Sequence, residues 1–160
     1  MLTWSQVQNF GLAFVLLTAV VPPVWAEDNT VSGTFKGNGK DAKLAYISAT
    51  KGEPFADKPT YILVMTEKDH SKDAKPNFNA GFGRFGSALI LTVQPDGKIV
   101  GCQVVHSAHQ KSGFSSIGDI KMSDFKIADG KITGKAATDG EVKTFGETWE
   151  VKLGFRAKAP

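Results

Sequence analysis

From Glu27 onward, apolar and polar residues alternate with period two almost everywhere. The clearest run is the last, where Trp149, Val151, Leu153 and Phe155 alternate with Glu150, Lys152, Gly154 and Arg156. That is the signature of a strand with one buried and one wet face. The same reading applies to "TVSGTFKG", "AKLAYISAT", "TYILVMTE", "SALILTVQ", "KIVGCQVVHS", "DIKMSDFKIA" and "KITGKAAT", each bounded by Gly, Pro, Asn or Asp. No segment carries a convincing helical period. The pattern predicts an all-β domain of about eight strands.

The turns point the same way. "GNGK" at 37–40, "PDGK" at 95–98, "ADGK" at 128–131 and "TDGE" at 138–141 supply Asn-Gly and Asp-Gly pairs, whose backbones tolerate the positive φ that tight hairpins demand. Consecutive strands are therefore expected to be antiparallel neighbours. "DGKIVG" at 96–101 returns as "DGKITG" at 129–134, but two copies of a hairpin solution do not make a repeat array. The architecture expected is an antiparallel meander, either closed into a β-barrel or folded as a two-sheet β-sandwich; a closed barrel would leave no exposed sheet edge.

The first residues differ from all this. "FGLAFVLLTAVV" at 10–21 is an unbroken, largely apolar run, too short for a bilayer span, which takes about 20 residues, and suited to the core of a signal peptide. After Pro22 and Pro23, "VWA" places compact side chains where a signal peptidase reads. Cleavage is expected between Ala26 and Glu27, dividing the chain into a signal peptide, 1–26, and a single β-rich domain, 27–160. The leading "MLTWSQVQN" departs from the usual pattern in carrying no Lys or Arg.

Charge and cysteine content narrow the classes further. There are 19 Lys and Arg against 16 Asp and Glu, a net charge of +3, scattered rather than gathered. That implies solubility and at most a mild pull toward anionic surfaces; no nucleic-acid partner is expected. Cys102 is the single cysteine, so no intramolecular disulfide can form. No cysteine follows the apolar run to accept a lipid, and no stable membrane anchor is expected after cleavage.

Several stretches imitate known sites. "AGFGRFG" at 80–86 spaces Gly81, Gly83 and Gly86 as a dinucleotide fingerprint does. That motif requires a strand that leads through the glycines into a helix, whose N-terminal amides hold the pyrophosphate; here the glycines follow a polar loop and precede a strand. "GFSSIG" at 113–118 is one residue too long for a nucleophile elbow. Asp96, Asp129 and Asp139 sit in turns, where carboxylates bond nearby backbone. In "CQVVHSAH", Cys102 and His106 lie about 13 Å apart along a continuous strand, too far to share a metal, and Val100, Cys102 and Val104 read as a core-facing row.

Two features remain. Residues 67–86, "EKDHSKDAKPNFNAGFGRFG", form the longest segment without strand periodicity, and long loops on compact domains are often functional. Phe78, Phe82 and Phe85, with Arg84 among them, would form either a lid over a ligand cavity, with Arg84 meeting an anionic group, or a plug of core side chains at one end of the barrel, the commoner role for aromatics near strand ends. His106 and His109 at a strand end, with His70 from the long loop, would form a metal site; solvent-facing or capping histidines are the competing reading.

Two stretches, "SGTFKGNGKDAKLAYISAT" at 32–50 and "GKITGKAATDGEVKTFGETWEVKLGFRAKAP" at 130–160, resemble the ends of a group of small exported bacterial β-rich proteins of uncharacterised function. Those chains open with a strand, an "NGK" turn and a "LAYA" strand, and close with a Gly- and aromatic-bearing hairpin. The resemblance implies an exported β-rich fold and brings no catalytic residues; the middle of the chain, "AGFGRFG" included, departs from it.

The leading expectation is an exported domain, periplasmic or extracellular, that acts by binding a small or amphiphilic ligand, or an envelope partner, rather than by catalysis. Phe78, Phe82, Arg84 and Phe85 are its candidate ligand-binding residues, and no cofactor is predicted. Two alternatives stand beside it: a metal-binding protein or metal-dependent enzyme built on His70, His106 and His109, and a self-associating structural component of the envelope.

Overall fold

The structure, a computed structural model, describes residues 29–111 and 113–160. The expected signal peptide and its cleavage point lie outside the described residues. Eleven strands and one short helix are present among them: β1 (Thr30–Gly37), β2 (Lys40–Ala42), β3 (Tyr46–Phe55), β4 (Lys58–Thr66), α1 (Pro76–Gly81), β5 (Ala88–Val93), β6 (Ile99–Val105), β7 (Phe114–Ser115), β8 (Ile120–Ala128), β9 (Lys131–Thr138), β10 (Val142–Thr144) and β11 (Glu147–Lys158).

These strands make two antiparallel sheets. One runs in the order β2-β1-β11-β9-β8, with β10 pairing β11 beyond the end of β9; the other is the simple meander β3-β4-β5-β6-β7. Among the described residues neither sheet closes on itself, so of the two architectures the sequence allows, the molecule is the sandwich. The first and last of the described strands lie side by side, Thr30 opposite Arg156 and Gly37 opposite Trp149. Neither this pairing nor that of β9 with β11 joins consecutive strands.

Alternation places the core. Val31 and Phe35 of β1, Ile132 and Ala136 of β9, and Trp149, Val151, Leu153, Phe155 and Ala157 of β11 face Leu63, Met65, Leu89, Leu91, Val93, Cys102 and Val104 of the second sheet. Cys102 takes the core position expected of it, and burial pushes its thiol up to about 12. Val100 does not, because the β5–β6 register slips between Thr92 and Val93, so that Gly101 pairs Thr92 and Ile99 pairs Val93. Ile99 packs against the core in its place, as a bulge dictates.

Tight turns hold the hairpins. Asn38 and Gly39 both take positive φ, 48° and 73°, as the Asn-Gly pair predicts. The β3–β4 turn does the same with Ala56 and Asp57, at φ 50° and 60°, a pair that carries no glycine and gives no turn signal in the sequence.

The meander is apolar on both faces. Its outer face carries Val64, Ala88, Ile90 and Val105, which form a second cluster with Ala80 of α1, joined by Ile62 and Phe85. A sheet buried on both sides needs a second layer. The segment 67–86 supplies it.

Candidate functional site

The segment 67–86 is a built flap. At its base Glu67 N–H donates to Ser87 C=O and Lys68 N–H to Phe85 C=O, each at 3.1 Å, and the Glu67 carboxylate accepts the Ser87 N–H at 2.6 Å. Asp73 accepts from Lys75 N–H at 2.7 Å and holds the Asn79 amide with both oxygens, at 2.9 and 3.0 Å. These bonds hold its carboxyl below the usual range. Pro76 opens α1, where a missing N–H costs nothing, and Ala80 seats the helix on the sheet.

Among the described residues there is no barrel end for the loop to lid or plug: the flap covers the outer face of the meander, and its glycine turn, with Phe82, reaches the end of the sandwich and borders a pocket there. The four residues expected to act together are separated. Phe85 is half-buried in the second cluster. Phe78 and Phe82, 60% and 78% exposed, pack against each other with ring centroids 4.9 Å apart and planes tilted by 56°. Arg84 is exposed, near the Asp73 carboxylate. A short helix does stand beside the glycines of "AGFGRFG", but it ends there instead of starting there, the reverse of what a dinucleotide site requires.

A pocket of about 320 Å³ forms where the glycine turn meets the end of β6, lined by Gly81, Phe82, Gly83, Gly86, Val105, His106, Ser107 and His109. Both imidazoles are buried, their ring centroids 5.2 Å apart, with Phe35 edge-on to His106 at 5.0 Å and Phe114 beside His109 at 5.4 Å. Gly37 lies against both rings, its bare Cα leaving the space they fill.

The backbone assigns the protons. His106 Nδ1 accepts the Ala108 N–H at 3.1 Å, so the neutral ring carries its proton on Nε2. His109 Nε2 lies 2.8 Å from the Thr148 carbonyl, which can only accept, so Nε2–H donates and Nδ1 is a bare lone pair. His109 Nδ1 is buried and makes no hydrogen bond, while His106 Nε2, also buried, makes none of good geometry, its one backbone neighbour of the right kind being the Lys40 carbonyl. The pocket is thus walled by a buried imidazole pair in which His109 Nδ1 is an acceptor without a partner.

Glu147 fixes this arrangement. One oxygen accepts the N–H groups of Gln110 and Lys111, at 3.0 and 2.9 Å, and the other the Asn38 amide at 2.6 Å, while Asn38 also donates to Ala108 C=O. These bonds keep the Glu147 carboxyl below its ordinary range. The sequence held a sign of its role: Glu147 shares the inward parity of Trp149, Val151, Leu153 and Phe155, an acidic residue in an apolar row.

His70 is not brought to this pocket. It bonds Ser48 Oγ through Nε2 at 2.8 Å and Thr66 Oγ1 through Nδ1 at 2.6 Å, so both its nitrogens are engaged. Among the described residues no group of three or more His, Cys, Asp or Glu side chains is placed to hold a metal ion.

Burial, as the largest cause, lowers both His70 and His106 from 6.5; around His106 the neighbouring His109 adds to this, and Glu67, Asp41 and the Lys40 backbone oppose it. As pH falls through the ordinary histidine range the unfolded chain takes up protons before the folded one. Stability contributed by these rings is thus complete above about pH 6.5 and is lost below it. The urea midpoint should be lower at about pH 5.5 than at about 7.5, with the difference reduced in His106→Asn; an unchanged midpoint would mean that the rings are not buried neutral. The lowered carboxylates, Glu147 and Asp73, act in a more acidic window, since their ordinary values are 4.5 and 3.8.

Fold and pocket together define a two-sheet antiparallel β-sandwich with a helical flap on one outer face and a histidine-lined pocket at one end. No protein-family model, curated protein or solved structure matches this chain.

Proposed function

We propose that this chain is an exported domain that binds a small amphiphilic molecule in the pocket between the glycine turn and the His106–His109 pair. The observation that carries the reading is the buried histidine pair at the wall of the pocket, in which His109 Nδ1 is a ring nitrogen without a partner. An unmade buried hydrogen bond costs about 1–3 kcal/mol, and a head group with a donor, such as a protonated carboxyl or a hydroxyl, would satisfy His109 Nδ1 once a small shift of the rings opens that nitrogen to the pocket. A pocket of about 320 Å³ suits a small ligand. Phe82 walls it, and Phe78, packed against Phe82, lines a neighbouring groove with Ile62 and Ile90, offering apolar surface for a tail. Export is supported by the apolar run at 10–21, the cleavage pattern at Ala26 and the resemblance of the chain's ends to small exported proteins.

The full chain titrated with dansyl-undecanoic acid, an amphiphile with a carboxyl head, should bind it saturably. Phe78→Ala with Phe82→Ala removes two exposed rings, so the fold should persist while affinity falls about tenfold or more, the equivalent of about 1.4 kcal/mol. Saturable binding unchanged in that variant, or absent from the wild-type protein, would overturn the reading.

A further inference from the structure

A second constellation lies at the same end of the meander, toward its β3 edge. Tyr46 pairs with Thr66 and Ser48 with Val64, so Tyr46, Ser48 and Thr66 share the outer face of the sheet. His70, four residues beyond Thr66 on the flap, turns back onto that face. Three short bonds then follow in series. Thr66 Oγ1 donates to the Lys68 carbonyl at 2.7 Å, which spends its only proton. Its oxygen must accept from His70 Nδ1–H at 2.6 Å. That leaves His70 Nε2 as a lone pair, so the Ser48 hydroxyl, 2.8 Å away, donates to it. Every proton is assigned by the one carbonyl at the end of the series.

The result is a serine whose hydroxyl is held by a neutral imidazole, itself oriented through its other nitrogen, which is the arrangement that activates a serine nucleophile. His70 is buried while Ser48 is half-exposed, so the base is dry and the nucleophile reachable. Both border a pocket of about 440 Å³ lined also by Asn29, Tyr46, Ile47 and Asp69. Burial, the largest influence, keeps His70 neutral, with Asp69 and Asp73 pulling the other way, toward the protonated ring that forms during attack. Asn29 Oδ1 accepts the Lys158 N–H at 2.8 Å, which sets the amide and leaves Nδ2 as the end that can donate to a developing oxyanion.

We propose that Ser48 is an acylatable nucleophile with His70 as its general base, and that this pocket hydrolyses small esters. Ser48 Oγ attacks the ester carbonyl carbon as its proton passes to His70 Nε2. The tetrahedral adduct collapses, the carbon–oxygen bond to the alcohol breaks, and the alcohol leaves with that proton. A water then gives a proton to His70 and attacks the acyl-serine, releasing the acid and restoring the Ser48 hydroxyl with the proton from His70. Thr66 is a positioning residue in this scheme. The pocket is separate from the one lined by His106 and His109, and the proposal stands independently of the ligand-binding reading.

The test is reaction of the full chain with a biotinylated fluorophosphonate, which bonds an activated serine with loss of fluoride, followed by peptide mass mapping and by turnover of p-nitrophenyl acetate. Labelling should map to Ser48, vanish in Ser48→Ala and slow at least about 100-fold in His70→Gln, and Thr66→Ser should keep the rate that Thr66→Val loses. Should His70→Gln fail to fold, the wild-type labelling rate against pH serves instead: it should rise through one ionisation below the ordinary histidine range. Absence of labelling in the folded wild-type protein, labelling that survives Ser48→Ala, or a rate flat between about pH 5 and 8 would overturn the proposal.

Discussion

Gly37→Ala is expected to destabilise the domain by about 2–3 kcal/mol and to abolish binding in the His106–His109 pocket. A Cβ at Gly37 would stand 2.4 Å from His106 Cγ, 2.6 Å from its Nδ1 and 2.7 Å from His109 Nε2. Those atoms are not the loose ends of flexible chains. His109 Nε2 is bonded to Thr148 C=O, His106 Nδ1 to Ala108 N–H, and the two rings are bracketed by Phe35 and Phe114. A methyl group can enter only by displacing both imidazoles and breaking at least one of those bonds. Gly154→Ala is the control, because nothing lies within 4 Å of the added carbon; its effect should stay within about 0.5 kcal/mol. Urea unfolding of both variants, with probe titration of each, reads the difference. Equal stabilities would show that the rings do not pack on β1 as described.

Trp149→Ala should cost more, about 3–5 kcal/mol, a large part of the 5–15 kcal/mol typical of a domain this size. Trp149 is fully buried and lies between Gly37 on β1 and Val142 on β10. Its indole N–H donates to Thr144 Oγ1 at 3.2 Å, and that oxygen also meets Ser116 Oγ at 3.1 Å. Truncation opens a cavity in the middle of the core and unseats the bond that ties β10 to it. Trp149→Phe fills most of the volume and loses only the bond, so its cost should be well under half as large. Circular dichroism in urea is the suitable measurement, since the other two tryptophans, Trp4 and Trp25, precede the expected cleavage point and Trp149 would then be the sole indole reporter. A Trp149→Ala midpoint close to that of the wild type would place the core elsewhere.

What the sequence made legible follows from length and parity. The long strands show their period, and β1, β9 and the heart of β11 fall where alternation puts them. β2, β7 and β10 are two or three residues long, too short to display any period, which is why about eight strands are read where eleven stand among the described residues. α1, six residues long, is hidden for the same reason. The choice between barrel and sandwich depends on β1 finding β11, a pairing at the greatest separation in sequence that no local signal encodes. Sites divide in the same way. His106 and His109 are three residues apart and visible as a pair, whereas their tautomers depend on Ala108 and Thr148. Ser48 and His70 are joined only by the fold, and Gly37 looks like turn chemistry until two rings are found resting on it.

The side-by-side placement of β1 and β11 also constrains the order of events in a cell. A chain synthesised from its N-terminus presents β1 early, but the strand that must zip against it follows all the other described strands. Until then one sheet is a set of hairpins around a missing centre, while the meander, whose pairings are all between sequence neighbours, is free to form. Folding of the whole is thereby postponed until β11 is available, which would suit the proposed export, since an exported polypeptide crosses its channel as an extended thread and becomes compact only on the far side.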